Sequence, residues 1–358
     1  MKPAIAIPAI AALVYRAWSR KSLTPLGIAT AFLTAVAHAV HPYSVCFALL
    51  AVFFLLGTAV TKVKHDVKAR LTQSSTGASG GEGPRTHIQV LANSLAASVL
   101  ILLDTWRLKK EGVYSDSDLC WRKGSDVLLV GVVANYAAVA ADTFSSELGI
   151  LSTGKPRLIT APWRVVPPGT NGGVTLTGLG AGLLGAFCIA LTSTLLLPFC
   201  KNWSTVDKAN FTLAITLAGL GGSVLDSFLG AVFQASVVDL HSGKVIEGEG
   251  GRKVLIHGAH SIQQKASAKA RSGAVSYEEG REGIANTSGI DDSAKATKRK
   301  QEAGQTSPEK HESRKVEVGF DILDNNAVNL LMAASIGVAS MVVASIVWDL
   351  PITRVISL

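Results

Sequence analysis

Two carboxylates, Asp142 and Glu147, stand at the end of a long apolar run in the chain. Charge at the end of a membrane-length segment costs free energy, so acidic side chains there require a compensating role. The chain then continues through the basic residues Lys155 and Arg157. A glycine-rich loop follows, comprising Gly169, Thr170, Asn171, Gly172 and Gly173. Basic side chains and backbone amides together can bind an anion such as a phosphate group, with or without a metal ion. The alternative is a helix end whose carboxylates lie in interfacial water.

A third carboxylate, Asp226, lies inside a later apolar run. Gly222, Asp226, Gly230 and Gln234 recur every four residues and so share one face of a helix. Because glycines flank it, the carboxylate has open space around it, which suits the phosphate and metal of a ligand. The alternative is that the two glycines admit a neighbouring helix and Asp226 hydrogen-bonds to that helix.

A polar cluster opens the last apolar run. It contains Asp321, Asp324, Asn325 and Asn329, whose three- and four-residue spacings place them on adjoining helical faces. Asp324 can instead act only as an N-cap, where the helix dipole favours negative charge. The amides that follow it are more than a cap requires.

These acidic residues lie at or near one end of three apolar runs. Magnesium prefers oxygen ligands and usually bridges one or two carboxylates to substrate phosphates. We therefore predict that Asp142, Glu147 and Asp226 bind Mg²⁺ and that Asp324 joins them in a catalytic site. Phosphoryl transfer needs mainly positioning and charge neutralisation, which such a site supplies. Convergence of these side chains is the central prediction.

Composition places the chain in a membrane. Of its 358 residues, 48% are hydrophobic and 17% are charged, and the mean hydropathy is +0.34. The apolar residues come in long blocks, which predicts an all-α, multi-pass transmembrane bundle. The formal charge of +8 then indicates basic cytosolic loops, with membrane lipids and no nucleic acid as partners. The four cysteines are far apart and contain no Cys-x-x-Cys pair, so they predict neither a zinc site nor a disulfide framework.

The apolar blocks predict about eight spans, with six to eight possible. They cover residues 3–17, 24–41, 43–61, 87–106, 125–142, 174–199, 210–238 and 326–349. Basic residues near their ends place the 155–173 loop in the cytosol and both termini on the opposite side.

The same pattern divides the chain into five parts. These are N-terminal transmembrane helices (1–61), a polar cytosolic loop (62–86), a transmembrane core with the acidic stretch and the glycine-rich loop (87–240), a polar insertion (241–316) and a C-terminal helix (317–358). The insertion begins with a short cytosolic hairpin around Ser242 and Gly243, with which Lys253–Ile256 can pair. Residues from about 260 to 313 are expected to lack fixed structure, because they cannot bury enough apolar surface.

Six ordered motifs resemble the transmembrane protein 19 family. They are residues 89–94 (QVLANS), 141–149 (ADTFSSELG), 156–160 (PRLIT), 166–174 (VPPGTNGGV), 222–227 (GSVLDS) and 323–329 (LDNNAVN). That family is multi-pass, and one plant branch of it is phytyl-phosphate kinase, which converts a prenyl monophosphate into the diphosphate. The resemblance implies a kinase that phosphorylates an isoprenoid phosphate, with CTP or ATP as donor, in the endoplasmic reticulum or another endomembrane.

Under that hypothesis each group of residues has a role. Lys155, Arg157 and the amides of 169–173 hold the nucleotide phosphates. Asp324, Asn325 and Asn329 orient the acceptor phosphate. The prenyl tail lies at the helix face that carries Gly178 and Gly182. The alternative function is a transporter or a non-catalytic scaffold, whose buried carboxylates serve ion coupling or helix association.

Overall fold

The structure is a computed structural model that describes residues 1–75, 80, 83–112, 120–124, 126–254 and 314–351. The helices of this part of the chain are α1 (Pro3–Ser19), α2 (Pro25–Val40), α3 (Val45–Lys62), α4 (His65–Leu71), α5 (His87–Lys110), α6 (Leu128–Gly149), α7 (Leu176–Leu196), α8 (Thr205–Phe233) and α9 (Asn325–Val347). A 3₁₀ turn covers Glu249–Gly251. The strands are β1 (Gln73–Ser74), β2 (Arg157–Leu158), β3 (Ala161–Val165), β4 (Gly173–Val174), β5 (Ser236–Asp239), β6 (Val245–Glu247) and β7 (Arg314–Val318).

Six of these helices, α3 and α5 to α9, are long and apolar enough to cross a membrane. The apolar helices α1 and α2 are shorter, with 17 and 16 residues. At about 1.5 Å per residue they reach less far across a bilayer than the 18 to 29 residues of the other six. The predicted helical bundle with six to eight spans is therefore confirmed. Helix α8 ends at Phe233 rather than at 238, because residues 236–239 form a strand.

Helix α6 is the centre of the bundle and is buried along most of its length. Small residues let its neighbours approach closely. A Cβ added at Gly222 of α8 would lie only 2.5 Å from Cβ of Ala138. One added at Gly185 of α7 would lie 2.7 Å from the carbonyl oxygen of Ala140. This packing holds the C-terminal end of α6, and with it the acidic stretch, in a fixed place.

Two small sheets lie at that same end of the bundle. One has the strand order β1-β6-β5-β7, with β1 parallel to β6 and the other pairs antiparallel; the other is antiparallel with the order β3-β2-β4. The predicted hairpin around Ser242 and Gly243 is confirmed as β5–β6, with Gly243 at a φ of +66°. Its further partners are β1 and β7, not the predicted Lys253–Ile256, of which residues 255 and 256 lie outside the described ranges. The expected lack of structure from 260 to 313 also concerns residues outside them.

At the opposite end of the bundle, Cys120 and Cys200 form a disulfide. The prediction that the cysteines form no disulfide framework was wrong. The two residues are 80 positions apart in sequence, and only the fold brings their loops together. Next to the disulfide, a β-bridge joins Trp121 to Phe199, and the ring of Trp121 stacks on Trp203 at a centroid distance of 4.8 Å.

A buried ionic network lies at the same end as the disulfide. His41 accepts a hydrogen bond at Nδ1 from the Tyr43 amide over 3.0 Å, so its Nε2 carries the proton and donates to Asp104 over 2.9 Å. Burial lowers the pKa of His41 to about 4, which agrees with this neutral form. Arg107 then bridges Asp104 and Asp126, at 2.8 and 3.0 Å. Each of these charges has a partner, so the network joins α2, α5 and α6 rather than forming an open site.

Candidate functional site

A cavity of about 550 Å³ occupies the end of the bundle that carries the sheets. It lies between the N-terminal ends of α5, α7 and α9 and the C-terminal ends of α6 and α8. Eleven of the thirteen predicted site residues line it, namely Asp142, Glu147, Gly169, Thr170, Asn171, Gly172, Gly173, Asp226, Asp324, Asn325 and Asn329. Residues up to 187 positions apart in the chain are thus brought to one cavity.

Asp142 and Asp226 form an acidic pair in this cavity. They come from α6 and α8, and both side chains are half-buried. They lie close enough for their negative charges to repel each other. The side-chain amide of Asn329, in the orientation that satisfies its neighbours, donates to Oδ2 of Asp226 over 2.9 Å and to the Asn325 carbonyl over 3.2 Å. The amide satisfies one oxygen of the pair, and a bound cation would compensate the two negative charges that remain close together.

Glu147 is ion-paired with Lys68 of α4. The side chains of Lys68 and Glu147 are only 8% and 14% exposed, and Lys68 Nζ also donates to the carbonyls of Val60 and Thr61, over 3.2 and 2.7 Å. Glu147, predicted as a metal ligand, thus lines the cavity with its charge already compensated by Lys68. Within the described residues, no group of three His, Cys, Asp or Glu side chains is placed to hold a metal ion.

Arg85 lies where the cavity meets α1 and α2. Its amide donates to the Ser22 carbonyl, and its own carbonyl accepts from the Thr24 amide, both over 3.0 Å. Its guanidinium Nη2 donates to Oγ1 of Thr61 over 3.1 Å. These bonds fix both the backbone and the side chain of Arg85 at the cavity wall.

Two further cations, Arg252 and Lys253, line the cavity after the 3₁₀ turn. Lys253 Nζ lies 3.2 Å from Oδ1 of Asp321 and donates to the Asp321 and Ile322 carbonyls, over 2.9 and 3.0 Å. The sequence did not indicate these two cations, nor Lys68 of the short helix α4, because all three belong to polar stretches without a recognisable pattern. Arg85 stands with Gln89 at the start of the apolar run of α5, but that position alone indicates no particular chemistry.

Lys155 and Arg157, predicted to hold phosphates, are outside this cavity. Both side chains are exposed, and Arg157 donates to the Pro162 carbonyl over 2.9 Å. For Arg157 the reason is the alternation of β2, in which successive side chains point to opposite faces and Leu158 is the buried one. The structure therefore does not bring these two predicted residues to the cavity.

The glycine-rich loop lines the cavity, but three of its amides donate within the protein. The Thr170 amide donates to the Pro167 carbonyl over 3.2 Å, and the Gly173 amide to the Thr170 carbonyl over 2.9 Å. The Asn171 amide donates to Oγ of Ser236 over 2.9 Å. These three amides satisfy the loop and its sheet contacts, as buried backbone groups usually do, and are not directed at a ligand.

Gly172 is required for packing. Its φ is +76°, and an added Cβ would lie 2.4 Å from Cβ of Ala231 and 2.7 Å from the Ser227 carbonyl oxygen. The loop therefore rests directly on α8, one turn beyond Asp226. Its glycines serve close contact between loop and helix.

We expect Gly172→Ala to lower the stability of the folded protein by about 1–3 kcal/mol, because it combines a positive φ with a backbone clash. The measurement is thermal unfolding of the purified protein in detergent. Gly154→Ala is the matched control, since its added Cβ would have 3.5 Å to the nearest atom. Equal melting temperatures for the two variants would show that the loop does not rest on α8.

Asp324 both caps a helix and lines the cavity. It caps α9, since the Ala327 amide donates to Oδ1 of Asp324 over 2.8 Å, as the capping alternative predicted. It also lines the cavity beside Asn325. The neighbouring Asn326 is buried and donates to the Gly250 carbonyl over 3.0 Å, which holds the 3₁₀ turn against α9.

The helix face of Gly178 and Gly182 packs directly on α6, and Gly178 also borders the polar cavity. An added Cβ at either glycine would lie 3.1 Å from a carbonyl oxygen of α6, that of Ser145 for Gly178 and that of Ala141 for Gly182. The small-residue spacing therefore serves the packing of α7 on α6 and leaves little room there for the prenyl tail that the sequence placed at this face.

Comparisons with known proteins give the following matches. A family model described as integral membrane protein DUF92 matches residues 8–337. The chain is 37% identical over 230 residues to Protein PGR of Arabidopsis thaliana, a match that covers 63% of this chain and 76% of the relative. It is 36% identical over 186 residues to the uncharacterized membrane protein MJ0933 of Methanocaldococcus jannaschii, covering 52% of this chain and 64% of the relative.

A further relative is Protein VTE6, chloroplastic, of Arabidopsis thaliana. The identity is 31% over 212 residues, covering 59% of this chain and 56% of the relative. The matches thus cover from a little over half to about three quarters of the length of each of these three relatives. No solved structure matches the chain.

Proposed function

The chain belongs to the integral membrane protein family DUF92, which agrees with the resemblance carried by its six motifs, and we propose that it is a membrane-embedded kinase that phosphorylates an isoprenoid monophosphate. The phosphoryl donor is a nucleoside triphosphate, CTP or ATP. The observation that carries the proposal is the meeting of Asp142 and Asp226 in a polar cavity with cationic walls at one end of a lipid-embedded bundle. The resemblance to a family that includes phytyl-phosphate kinase supports it.

The acidic pair fits a magnesium ion. Asp142 and Asp226 supply the one or two carboxylates that Mg²⁺ usually takes from a protein beside substrate phosphates. A bound Mg²⁺ would neutralise phosphate charge, and Asn329 holds Asp226 in orientation for it. Glu147 is not needed as a ligand, since its charge is compensated by Lys68.

Cationic side chains and helix ends supply the phosphate contacts. Arg85 and Arg252 are the guanidinium groups at the cavity wall. In this proposal they take the role of phosphate contacts that the sequence predicted for Lys155 and Arg157. A guanidinium group can donate two parallel hydrogen bonds to one phosphate group, which orients the phosphate as well as attracting it. The N-terminal ends of α5, α7 and α9 add partial positive charge at the same place. Asn325 of α9 then contributes an amide to orient the acceptor phosphate.

The reaction needs little from the protein beyond this arrangement. An oxygen of the prenyl monophosphate attacks the terminal phosphorus of the nucleotide, and the bond from that phosphorus to the bridging oxygen breaks, which leaves a nucleoside diphosphate. Positioning and charge compensation account for most catalysis of such transfers. The alternative of transport has less support, because the packed centre of α6 separates this cavity from the ionic network at the other end.

The proposal is tested with purified protein in detergent, prenyl monophosphates and radiolabelled CTP or ATP. The expected result is a labelled prenyl diphosphate with at least one of the two donors. A folded preparation that forms no diphosphate with either donor and any chain length would rule the kinase out.

We further propose that the cavity faces the cytosol of an endomembrane such as the endoplasmic reticulum, because disulfides such as Cys120–Cys200 persist on the oxidising side. In sealed microsomes, and with Cys188→Ser as background, we expect an impermeant maleimide to label Lys155→Cys without permeabilisation. Lys201→Cys, next to the disulfide, should be labelled only after permeabilisation. The reverse pattern would invert the topology.

A further inference from the structure

An apolar crevice lies between α1, α2, α3 and α5, separate from the helices that carry the acidic pair. Its volume is about 80 Å³, and its walls include Ile10, Leu13, Ile28, Phe53 and Val90. A space of this size admits part of one hydrocarbon chain, and the rest of a longer chain would extend into the bilayer.

The few hydroxyl groups of the crevice are satisfied by their own helices. Oγ1 of Thr34 donates to the Thr30 carbonyl over 2.9 Å, and Oγ of Ser94 donates to the Val90 carbonyl over 2.7 Å. Hydroxyls bonded to the preceding turn offer little to a polar ligand. The interior of the crevice is therefore a hydrocarbon environment.

One end of the crevice opens at residues that also line the polar cavity, namely Arg85, Gln89 and Asn93. Gln89 and Asn93 are engaged locally, since Oε1 of Gln89 accepts from the Thr86 amide over 2.8 Å and Nδ2 of Asn93 donates to the Gln89 carbonyl over 3.0 Å. Arg85 is the charged group at this junction. A positive charge at the mouth of an apolar slot is complementary to a lipid with one tail and an anionic head.

We propose that this crevice binds the tail of a single-chain prenyl monophosphate, with its phosphate at Arg85 and facing the acidic pair. The inference deepens the proposed function and rests on it, since it names the part of the protein that selects the acceptor by its chain. It places the tail in this crevice rather than at the Gly178 and Gly182 face, which packs on α6. Chain-length selection then resides in α1, α2, α3 and α5, and phosphoryl transfer in α6, α8 and α9.

The test compares the same substitution at two positions of α2. Ala31 lines the crevice, whereas Ala29 is exposed on the lipid side of the same helix. Ala31→Phe should raise KM for geranylgeranyl monophosphate by about 10-fold, the effect of excluding a few methylenes. KM for the short isopentenyl monophosphate should change by less than about 2-fold in the same variant, and Ala29→Phe should change neither constant by more than that. Equal effects of the two variants on both substrates, with equal melting temperatures, would overturn the proposal while leaving the kinase intact.

A second measurement does not depend on turnover. A geranylgeranyl monophosphate with a photoactivatable diazirine in its chain is crosslinked to the full-length protein in detergent, and the labelled peptides are identified. Label in α1, α2, α3 or α5 that is reduced by Ala31→Phe supports the crevice even if no kinase activity is found. Label in α7 would show that the tail does not bind in the crevice. Label that excess phosphatidylcholine displaces as effectively as unlabelled geranylgeranyl monophosphate does would show that the crevice takes ordinary bilayer lipid.

Discussion

Asp226→Asn is expected to lower the rate of prenyl diphosphate formation by about 100- to 1,000-fold without unfolding the protein, as the loss of one charge that compensates a transition state usually does. The amide keeps the shape of the side chain and removes one negative charge from the pair with Asp142. Because that pair is the proposed ligand set for Mg²⁺, the loss should appear in kcat and also as a raised KM for the nucleotide. The measurement is the rate of labelled diphosphate formation at saturating acceptor.

Asp142→Asn should have an effect of the same size, and the double variant should be little worse than either single one, because the two carboxylates act as a unit. Asp66→Asn is the control, since Asp66 is a fully exposed carboxylate of α4, whose neighbour Lys68 lines the cavity. An Asp226→Asn enzyme that retains full kcat, or an Asp66→Asn enzyme that loses it, would exclude the acidic pair from the chemistry.

Lys68→Met is expected to cost about 3–5 kcal/mol of folding free energy, because it leaves the Glu147 carboxylate buried without its partner. The double variant Lys68→Met with Glu147→Gln should recover much of that loss, since it removes both charges. Thermal unfolding in detergent measures both. The result also tests whether Glu147 is a structural anchor of α6 or a metal ligand, because only an anchor is rescued in this way.

An exposed ion pair provides the comparison. Arg164 and Glu317 join β3 to β7, with side chains 43% and 26% exposed. Arg164→Met should cost at most about 1 kcal/mol, as partly exposed pairs do. If Lys68→Met and Arg164→Met shift the melting temperature equally, the Lys68–Glu147 pair does not fix α4 to the end of α6.

The sequence was most informative about the bundle. Long apolar blocks require membrane spans whatever the tertiary contacts. Asp142 falls at the end of such a block, and Asp226 lies in the C-terminal part of another. Asp142 and Asp226 could therefore be expected at one end, although only the packing of Gly222 on Ala138 places their helices side by side. The prediction of a shared cavity depended on helix direction and connectivity, which the pattern of spans supplies.

The loops were predicted less well, for physical reasons that differ from residue to residue. Arg157 has the right charge, but the alternation of β2 turns it outward. Lys68 has no pattern around it that marks a buried cation. The glycines of the 169–173 loop indicated phosphate-binding amides, whereas Gly172 serves contact with α8. Side-chain direction in short strands, and pairing across long stretches of sequence, are set by tertiary structure.

The most direct test of the account is the binding of Mn²⁺ together with nucleotide, followed by electron paramagnetic resonance on the purified protein. The parent should bind the Mn²⁺–nucleotide complex at one site per chain. The Asp142→Asn and Asp226→Asn variants should bind it at least about 10-fold more weakly, which is about 1.4 kcal/mol, and Asp66→Asn should match the parent. Equal affinity in all four proteins would mean that the acidic pair holds no metal–phosphate complex, and the proposed site would be wrong.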